Sequence, residues 1–114
     1  MKTYTIFSTR KVVFIKAENV DEAVAKFLLS VKHREIKRED VSQFIIILDE
    51  DGEEYAFWTL PSLTLLGILD LPTSLYNIEI QGVPAEKAKN ILMEGMKRDI
   101  WIFHLCEKIE RGEN

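Results

Sequence analysis

The side chains with the clearest chemical potential in this 114-residue sequence are aromatic rings and cations that share one predicted hairpin. Residues 3–17 mix aromatic and β-branched residues with Arg10, Lys11 and Lys16, and residues 1–16 contain no acid. Aromatic rings can stack on nucleobases, and cations can contact phosphates. The hairpin therefore predicts a surface that suits a polyanion, although the whole chain has a net charge of −4, because local potential governs such a contact.

A turn at Thr9 and Arg10 predicts which side chains of this hairpin share a face. It would pair Phe7 with Val12, Thr5 with Phe14 and Thr3 with Lys16. The other face would carry Tyr4, Ile6, Val13 and Ile15. Because that second set is more uniformly apolar, we assign it to the core. Phe7 and Phe14 are then expected to point outward beside Lys16, with Arg10 and Lys11 at the tip.

A second hairpin is predicted from residues 43–48 and 54–60, around Asp51 and Gly52. This dipeptide favours a two-residue primed turn. Counting back from it pairs Leu48 with Tyr55, Ile46 with Phe57 and Phe44 with Thr59 on one face, and Ile47 with Ala56 and Ile45 with Trp58 on the other. Both faces are apolar, so each needs a cover. We expect Tyr55 and Phe57 to lie on the same outward face as Phe7 and Phe14. If the two faces of the second hairpin are exchanged, Trp58 lies on that outward face instead.

No motif of the sequence indicates catalysis or metal binding. His33 and His104 lack a second ligand at metal spacing, and His104 lies in an apolar stretch that predicts a buried or interface histidine. Cys106 is expected to be a small buried hydrophobe. The acidic residues 49–54 lack the spaced ligands of an EF-hand and predict a solvated turn. We therefore expect a protein that is not an enzyme and has no metal and no cofactor.

Length and composition predict one domain over residues 1–114, with a body at 1–83 and an assembly helix at 84–112. The content of 46% hydrophobic and 30% charged residues is typical of a globular protein. No apolar run approaches the roughly 18 residues of a membrane span. Because a strand pattern begins at once and there is one cysteine, we expect a cytoplasmic protein. Many Lys and Glu with two Gln are typical of a thermophile.

Capping and spacing predict the helices. Asn19 and Glu22 form a capping-box pattern ahead of apolar residues at helical spacing. Pro61 and Ser62 predict the start of a short apolar helix over residues 63–69, which Asp70 and Pro72 are expected to end. Residues 75–81 alternate apolar with polar side chains, which favours a short strand or an extended connection.

The C-terminal element predicts self-association. Residues 84–112 would form a helix of about 43 Å, longer than the roughly 34 Å diameter of a compact domain of this size. A seam at alternating spacings of three and four, interrupted by Arg98, is typical of a coiled coil. We expect a homodimer or higher homo-oligomer whose interface contains Ala88, Ile91, Gly95, Ile102, Leu105 and Ile109.

The order of these elements resembles the archaeal ThermoDBP family of single-stranded-DNA-binding proteins and its shorter relatives. Two hairpins, the basic aromatic strands at residues 4–16 and 55–58, and the long helix at 84–112 carry the resemblance. It implies binding of single-stranded DNA without sequence preference, by dimers or larger assemblies that shield the bases, with no cofactor. The acidic residues 49–54 fit this family least well, because they would repel a passing strand.

We therefore expect an α+β fold with a four-stranded antiparallel sheet of two hairpins, backed by helices. The expected partner is single-stranded DNA, or RNA, and no membrane. Binding would use stacking and phosphate contacts from Phe7, Arg10, Lys11, Phe14, Lys16, Tyr55 and Phe57. Two alternatives stay open: an oligomeric protein-interaction module without nucleic-acid binding, and a small-molecule or enzymatic role in a pocket between subunits.

Overall fold

The computed structural model describes residues 1–112, which form four strands and five α-helices. The strands are β1 (Lys2–Phe7), β2 (Val12–Ala17), β3 (Phe44–Leu48) and β4 (Glu54–Trp58). They make one antiparallel sheet in the order β2-β1-β3-β4. The predicted α+β class and the sheet of two hairpins are therefore confirmed.

The first hairpin has the predicted register. Phe7 pairs with Val12, Thr5 with Phe14 and Thr3 with Lys16. The backbone N–H of Ser8 donates to the carbonyl of Lys11 at 2.9 Å and closes the turn. Tyr4 and Ile6 are buried, as expected for the core face.

The predicted register of the second hairpin is wrong by one residue. Leu48 pairs with Glu54, Ile46 with Ala56 and Phe44 with Trp58. The cause is Asp49, whose Oδ1 accepts the backbone N–H groups of Asp51 and Glu53, each at 2.9 Å. The Asp49 N–H also donates to the Glu53 carbonyl at 3.0 Å, which leaves a three-residue loop. Gly52 closes that loop at φ +86°, where glycine is favoured.

Helix α1 (Val20–Lys32) covers the inner side of the sheet. It begins as predicted, because the Asn19 side chain accepts the N–H of Glu22 at 2.9 Å. Its buried residues include Phe27 and Leu28, which are among the largest fully buried side chains. This face packs on the inner side chains of β1 and β3 in the main core.

Two short helices follow β4, α2 (Leu60–Leu65) and α3 (Leu71–Glu79). The predicted strand or extended connection at residues 75–81 is wrong, because most of it belongs to α3. Asp70 accepts the Thr73 N–H at 2.8 Å and caps this helix, and Pro72 lies in its first turn. A proline can follow the end of one helix or lie in the first turn of the next. The sequence pattern at Pro72 was therefore compatible with either arrangement.

The predicted single C-terminal helix is divided at Asp99 into α4 (Ala85–Arg98) and α5 (Ile100–Glu110). Asp99 is buried with φ −93° and ψ 6°, and its Oδ2 accepts the Ser62 hydroxyl at 3.1 Å. Helix α4 packs on α2 and α3, whereas α5 packs on α1 and α2. The bend lets one helical segment follow two separate surfaces of the same chain.

The six residues predicted to bind a second copy contact the chain's own core. Ala88, Gly95 and Ile102 are buried within the single chain and offer no surface to a partner. The other three are partly buried against the core: Ile91, Leu105 and Ile109. The seam spacing therefore reflects intramolecular packing by α4 and α5. None of the helices within residues 1–112 combines the length and apolarity that crossing a membrane requires.

Candidate nucleic-acid interface

One face of the sheet has exposed apolar side chains, and we call it the open face. Helix α1 packs against the opposite, inner face, and α5 packs on α1 and α2 in the same core. Phe14 is 71% exposed, Phe44 60% and Phe7 41%. The pairing register assigns twelve side chains to the open face: Thr3, Thr5, Phe7, Val12, Phe14, Lys16, Phe44, Ile46, Leu48, Glu54, Ala56 and Trp58.

Four aromatic residues form a diagonal line across the open face, one from each strand. Phe14 on β2 lies diagonal to Phe7 on β1, and Phe7 lies diagonal to Phe44 on β3. Diagonal neighbours on a sheet are separated by about 7–8 Å. The line ends at Trp58 on β4, whose ring stacks with that of Phe44 at 6.4 Å between centroids and 20° between planes. The rings together span about 20 Å.

Cations lie at the β2 margin of this line. Lys16 follows Phe14 on the same face of β2, and Arg10 and Lys11 form the tip of the first hairpin. None of the three makes an ion pair with a residue in the 1–112 range. All three are exposed, so their charges are available to a ligand.

Hydrogen bonds hold the hairpin tip beside the segment that leads into β3. The Ser8 hydroxyl donates to the Asp40 carbonyl at 2.7 Å. It also accepts the Ser42 N–H at 2.8 Å. The Thr9 and Ser42 hydroxyls are 2.8 Å apart. Arg10 and Lys11 are therefore carried by an anchored turn near the start of the strand that bears Phe44.

The structure brings five of the seven predicted binding residues together and places two elsewhere. Tyr55 and Phe57 pair with Ile47 and Ile45, which point to the inner face. Phe57 packs against the main core. Burial raises the pKa of the Tyr55 phenol, with smaller contributions from the nearby carboxylates of the acidic loop. Neither ring is part of the diagonal line.

Trp58 is the ring position that the predicted register missed, whereas Phe44 lies on the face that this register gave it but was not among the predicted binding residues. The three-residue loop exchanges the two faces of β4, so Trp58 replaces Tyr55 and Phe57 as the β4 contribution. A usable sequence signal was present, namely Asp49 three residues ahead of Gly52. An aspartate at the first position of a type I turn, followed by glycine in the left-handed region, is typical of this longer loop.

A groove between Trp58 and α4 extends the line beyond the sheet edge. Its volume is about 450 Å³, and its lining includes Ile91, the cations Lys87 and Arg98 and the acid Glu94. Nε of Arg98 lies 3.7 Å from Oδ1 of Asp99. Trp58 reaches it because Gly95 leaves room: a Cβ there would lie 3.2 Å from Cζ3 of the indole. The diagonal line therefore has cations at both ends, with Lys16 at one and Lys87 and Arg98 at the other.

The acidic loop at residues 49–54 lies away from this line. Glu54 is on the open face of β4, four residues before Trp58, which corresponds to about 13 Å along the strand. Glu54 also lies at the same level of the sheet as Phe14, but the two residues are three strands apart, which corresponds to about 14 Å. A polyanion that follows the diagonal therefore passes at a distance from the acidic tip.

The described nucleophilic and metal-binding side chains do not form a reactive cluster. Burial, with a further contribution from Glu110, raises the pKa of the Cys106 thiol to about 11, so it is protonated at neutral pH. His104 was predicted to be buried in the core or in an interface; it is exposed in the single chain, so it is not a core residue, and its Nδ1 lies 3.3 Å from Glu107. His33 lies 3.0 Å from Glu110. Within residues 1–112, no three His, Cys, Asp or Glu side chains are placed to hold a metal ion.

Comparison with known proteins found no match for this chain. No protein-family model, curated protein or solved structure matches it. The candidate site is therefore described by its own geometry: a diagonal line of rings with cations at both ends, on a sheet face that the described helices leave open except at Trp58, which packs beside α4.

Proposed function

We propose that the protein binds single-stranded nucleic acid, with DNA as the principal ligand, on the open face. The observation that supports this most directly is the diagonal line of Phe14, Phe7, Phe44 and Trp58. Bases of a single strand stack on such rings, and each stack contributes about 1–3 kcal/mol. Bases in a duplex already stack on one another, so this face favours the single strand.

The proposed contacts are stacking and phosphate pairing, without chemical conversion of the ligand. Arg10, Lys11 and Lys16 would contact phosphates near β2, and Lys87 and Arg98 near α4. Because every base has a π face, stacking gives little sequence preference. The line of about 20 Å and its groove suit a site of only a few nucleotides, at the small end of the known range.

The first experiment is a titration of labelled oligo-dT against a matched duplex, followed by fluorescence anisotropy at several salt concentrations. We expect preference for the single strand. Five phosphate contacts predict a slope of about −3.5 in the plot of log K against log salt. Absence of binding at low salt, or equal binding of the duplex, would contradict the proposal.

The second experiment removes one ring at a time. Phe14→Ala should weaken oligo-dT binding by about 5- to 150-fold, which corresponds to one lost stack of 1–3 kcal/mol. Tyr76→Ala is the matched control, because Tyr76 is equally aromatic and 62% exposed but lies on α3. Equal losses in the two variants would show that binding does not use the diagonal line.

The third experiment tests the cations in the same way. Lys11→Ala should weaken binding and flatten the salt slope by about 0.7. Lys89→Ala is its control, since Lys89 is an exposed lysine of α4 that lies outside the groove. If Lys11→Ala and Lys89→Ala change the salt slope equally, the strand is attracted by the overall charge and does not follow a defined path.

Self-association through the open face is the second candidate, and exposed aliphatic side chains favour it. Val12 is 52% exposed and Ile46 37%, and aliphatic chains pack against proteins better than they stack on bases. The face measures roughly 19 by 17 Å, which approaches the size of patches that mark interaction sites. The protein would then be an oligomeric interaction module without a nucleic-acid ligand.

Sedimentation velocity at micromolar concentration separates the two candidates. A stable dimer that Val12→Glu dissociates, together with no oligo-dT binding, would support the interaction module. A monomer that binds oligo-dT, or a dimer that forms only with oligo-dT, would support nucleic-acid binding. Membership of the ThermoDBP family stays a prediction from the order of the elements.

A further inference from the structure

A second candidate site lies at the end of α1, outside the open face. A cleft of about 530 Å³ separates the end of α1 and the segment after it from the connection between α2 and α3. Its volume lies within the range of small-molecule sites. Four cations and one acid line it together with apolar side chains, and we call it the basic cleft: Val31, Lys32, Arg34, Ile36, Lys37, Arg38, Glu39, Leu66, Gly67 and Ile68.

The cations of the basic cleft are only partly neutralised by the protein. Lys32 pairs with Glu110 at 3.0 Å. Arg34 and Lys37 make no ion pair with any residue in the described range. Nη1 of Arg38 donates to the Ile68 carbonyl at 3.0 Å, which orients the guanidinium and leaves its other N–H groups for a ligand. An excess of positive charge therefore lines a concave surface.

Arg34 lies in this cleft at a backbone position where glycine is favoured. Its φ is +64°, and it is the only described residue other than glycine with a positive φ. It follows the C-cap of α1, where the Arg34 N–H donates to the Val31 carbonyl at 3.1 Å and the Glu35 N–H to the Ser30 carbonyl at 2.9 Å. Glycine is the usual residue at this position of a helix end. An arginine at this position costs conformational energy that glycine would not, and it places a cation in the cleft.

We propose that the basic cleft binds a small organic molecule with two or more phosphate groups. Arg34 and Arg38 would hold the phosphates because guanidinium groups pair with phosphate oxygens in a bidentate manner, and the Lys37 ammonium would add a point charge beside them. The organic part would lie on the apolar floor formed by Val31, Leu66 and Ile68. This site does not depend on nucleic-acid binding at the open face, since no residue lines both.

Calorimetry with pyrophosphate and with ADP tests the site in the full chain. We expect one molecule of either ligand per chain, tighter binding of ADP than of pyrophosphate, and a ligand-dependent rise in Tm. No saturable binding of either ligand would overturn the proposal. ADP that binds no better than pyrophosphate would overturn the role of the apolar floor.

Arg34→Gly separates loss of binding from loss of folding. The variant should melt a few degrees higher without ligand, because glycine accepts φ +64° without strain. It should bind pyrophosphate about ten-fold more weakly, since a charge-assisted contact is lost. Its affinity for oligo-dT should not change. An unchanged affinity for pyrophosphate in Arg34→Gly would overturn the assignment.

A charge-reversal pair controls for diffuse attraction. Lys37→Glu and Lys89→Glu change the net charge equally, but only Lys37 lines the cleft. We expect Lys37→Glu to abolish pyrophosphate binding and Lys89→Glu to leave it within about two-fold. Equal losses in both variants would refute a defined site.

Discussion

The two faces of the sheet differ in what covers them far more than in how apolar they are. Ile45 and Ile46 are neighbours on β3, yet Ile45 is completely buried and Ile46 is 37% exposed. Ile45 belongs to the main core with α1 and α5, whereas Ile46 belongs to the open face. Apolar content alone therefore does not identify the face that folding buries.

The arrangement of the aromatic rings separates the faces more clearly. On the inner face Ile6, Ile45 and Ile47 are fully or almost fully buried, Tyr4 is buried and Phe57 packs against the core, which leaves only Tyr55 of its rings exposed. The open face carries three phenylalanines and Trp58. Branched aliphatic chains fill the space beneath helices, whereas flat rings suit a ligand that is itself flat. The rings, not the overall hydropathy, make the open face a candidate for base stacking.

The largest difference in stability between the two faces is expected for a pair of truncations on β3. Ile45→Ala should reduce the free energy of unfolding by about 3 kcal/mol, because it leaves a cavity in the core. Ile46→Ala should cost less than about 1 kcal/mol, because much of that side chain is already in water. Urea denaturation measures both. Equal losses would mean that the open face is covered in solution.

A substitution at the margin of the open face should have an intermediate effect. In Gly95→Ala the new Cβ would lie 2.5 Å from Cγ of Pro61. Alanine gains about 1 kcal/mol of helix propensity over glycine, whereas overpacking costs about 1–3 kcal/mol. We expect a net loss of about 1 kcal/mol in urea denaturation. Glu94→Ala, on the exposed side of α4, is the control and should change stability by less than about 0.5 kcal/mol.

A smaller effect should appear as a pH dependence at the bend between α4 and α5. Burial raises the pKa of Asp99, although the Ser62 hydroxyl and Arg98 act in the opposite direction. A raised pKa means that the neutral carboxyl is favoured in the folded state. The stability contribution is therefore present below the unfolded pKa of about 3.9, and it is lost as pH rises through the folded pKa.

Asp99→Asn removes this dependence and provides the measurement. From about pH 4 upward, the wild type should lose stability relative to the variant. Urea denaturation of both proteins at a series of pH values gives the difference, in which other titrating groups such as Glu110 cancel. A difference that stays constant with pH would contradict the assignment.

The smallest effect on stability is expected for the most exposed ring. Phe14→Ala should change the free energy of unfolding by less than about 0.5 kcal/mol, because Phe14 is 71% exposed. The same variant carries the largest expected loss of oligo-dT binding. Circular dichroism and anisotropy on one preparation check both statements. A large loss of stability would show that Phe14 packs against something in the free protein.

Local patterns predicted the elements whose partners are close in the chain. The alternation through Tyr4, Ile6, Val13 and Ile15 and a short turn determined the register of the first hairpin. The cap at Asn19 placed the start of α1. These features placed Phe7, Phe14 and the three cations of the candidate site correctly, because each depends on neighbours only a few residues away.

The predictions were wrong where a hydrogen bond to one side chain determined a loop length or a helix boundary. Asp49 lengthened the second hairpin loop by one residue, so Trp58 takes the place on the open face that was expected for Tyr55 and Phe57. Asp70 made Pro72 the start of α3 instead of the end of α2. In both cases a carboxylate that accepts backbone N–H groups shifted the boundary, and a pattern of apolar residues does not record such a bond.

By itself the sequence determined a two-hairpin α+β domain with aromatic and cationic side chains together on its first strands, because strand pleat and short turns act locally. Only the tertiary structure decided what covers each sheet face, since that depends on where the helices pack. It likewise bent the C-terminal helix at Asp99, where Ser62, 37 residues away, donates a hydrogen bond to the buried carboxylate. The seam of α4 and α5 was consequently filled by the chain itself, while Phe7, Phe14 and Phe44 stay exposed on the sheet.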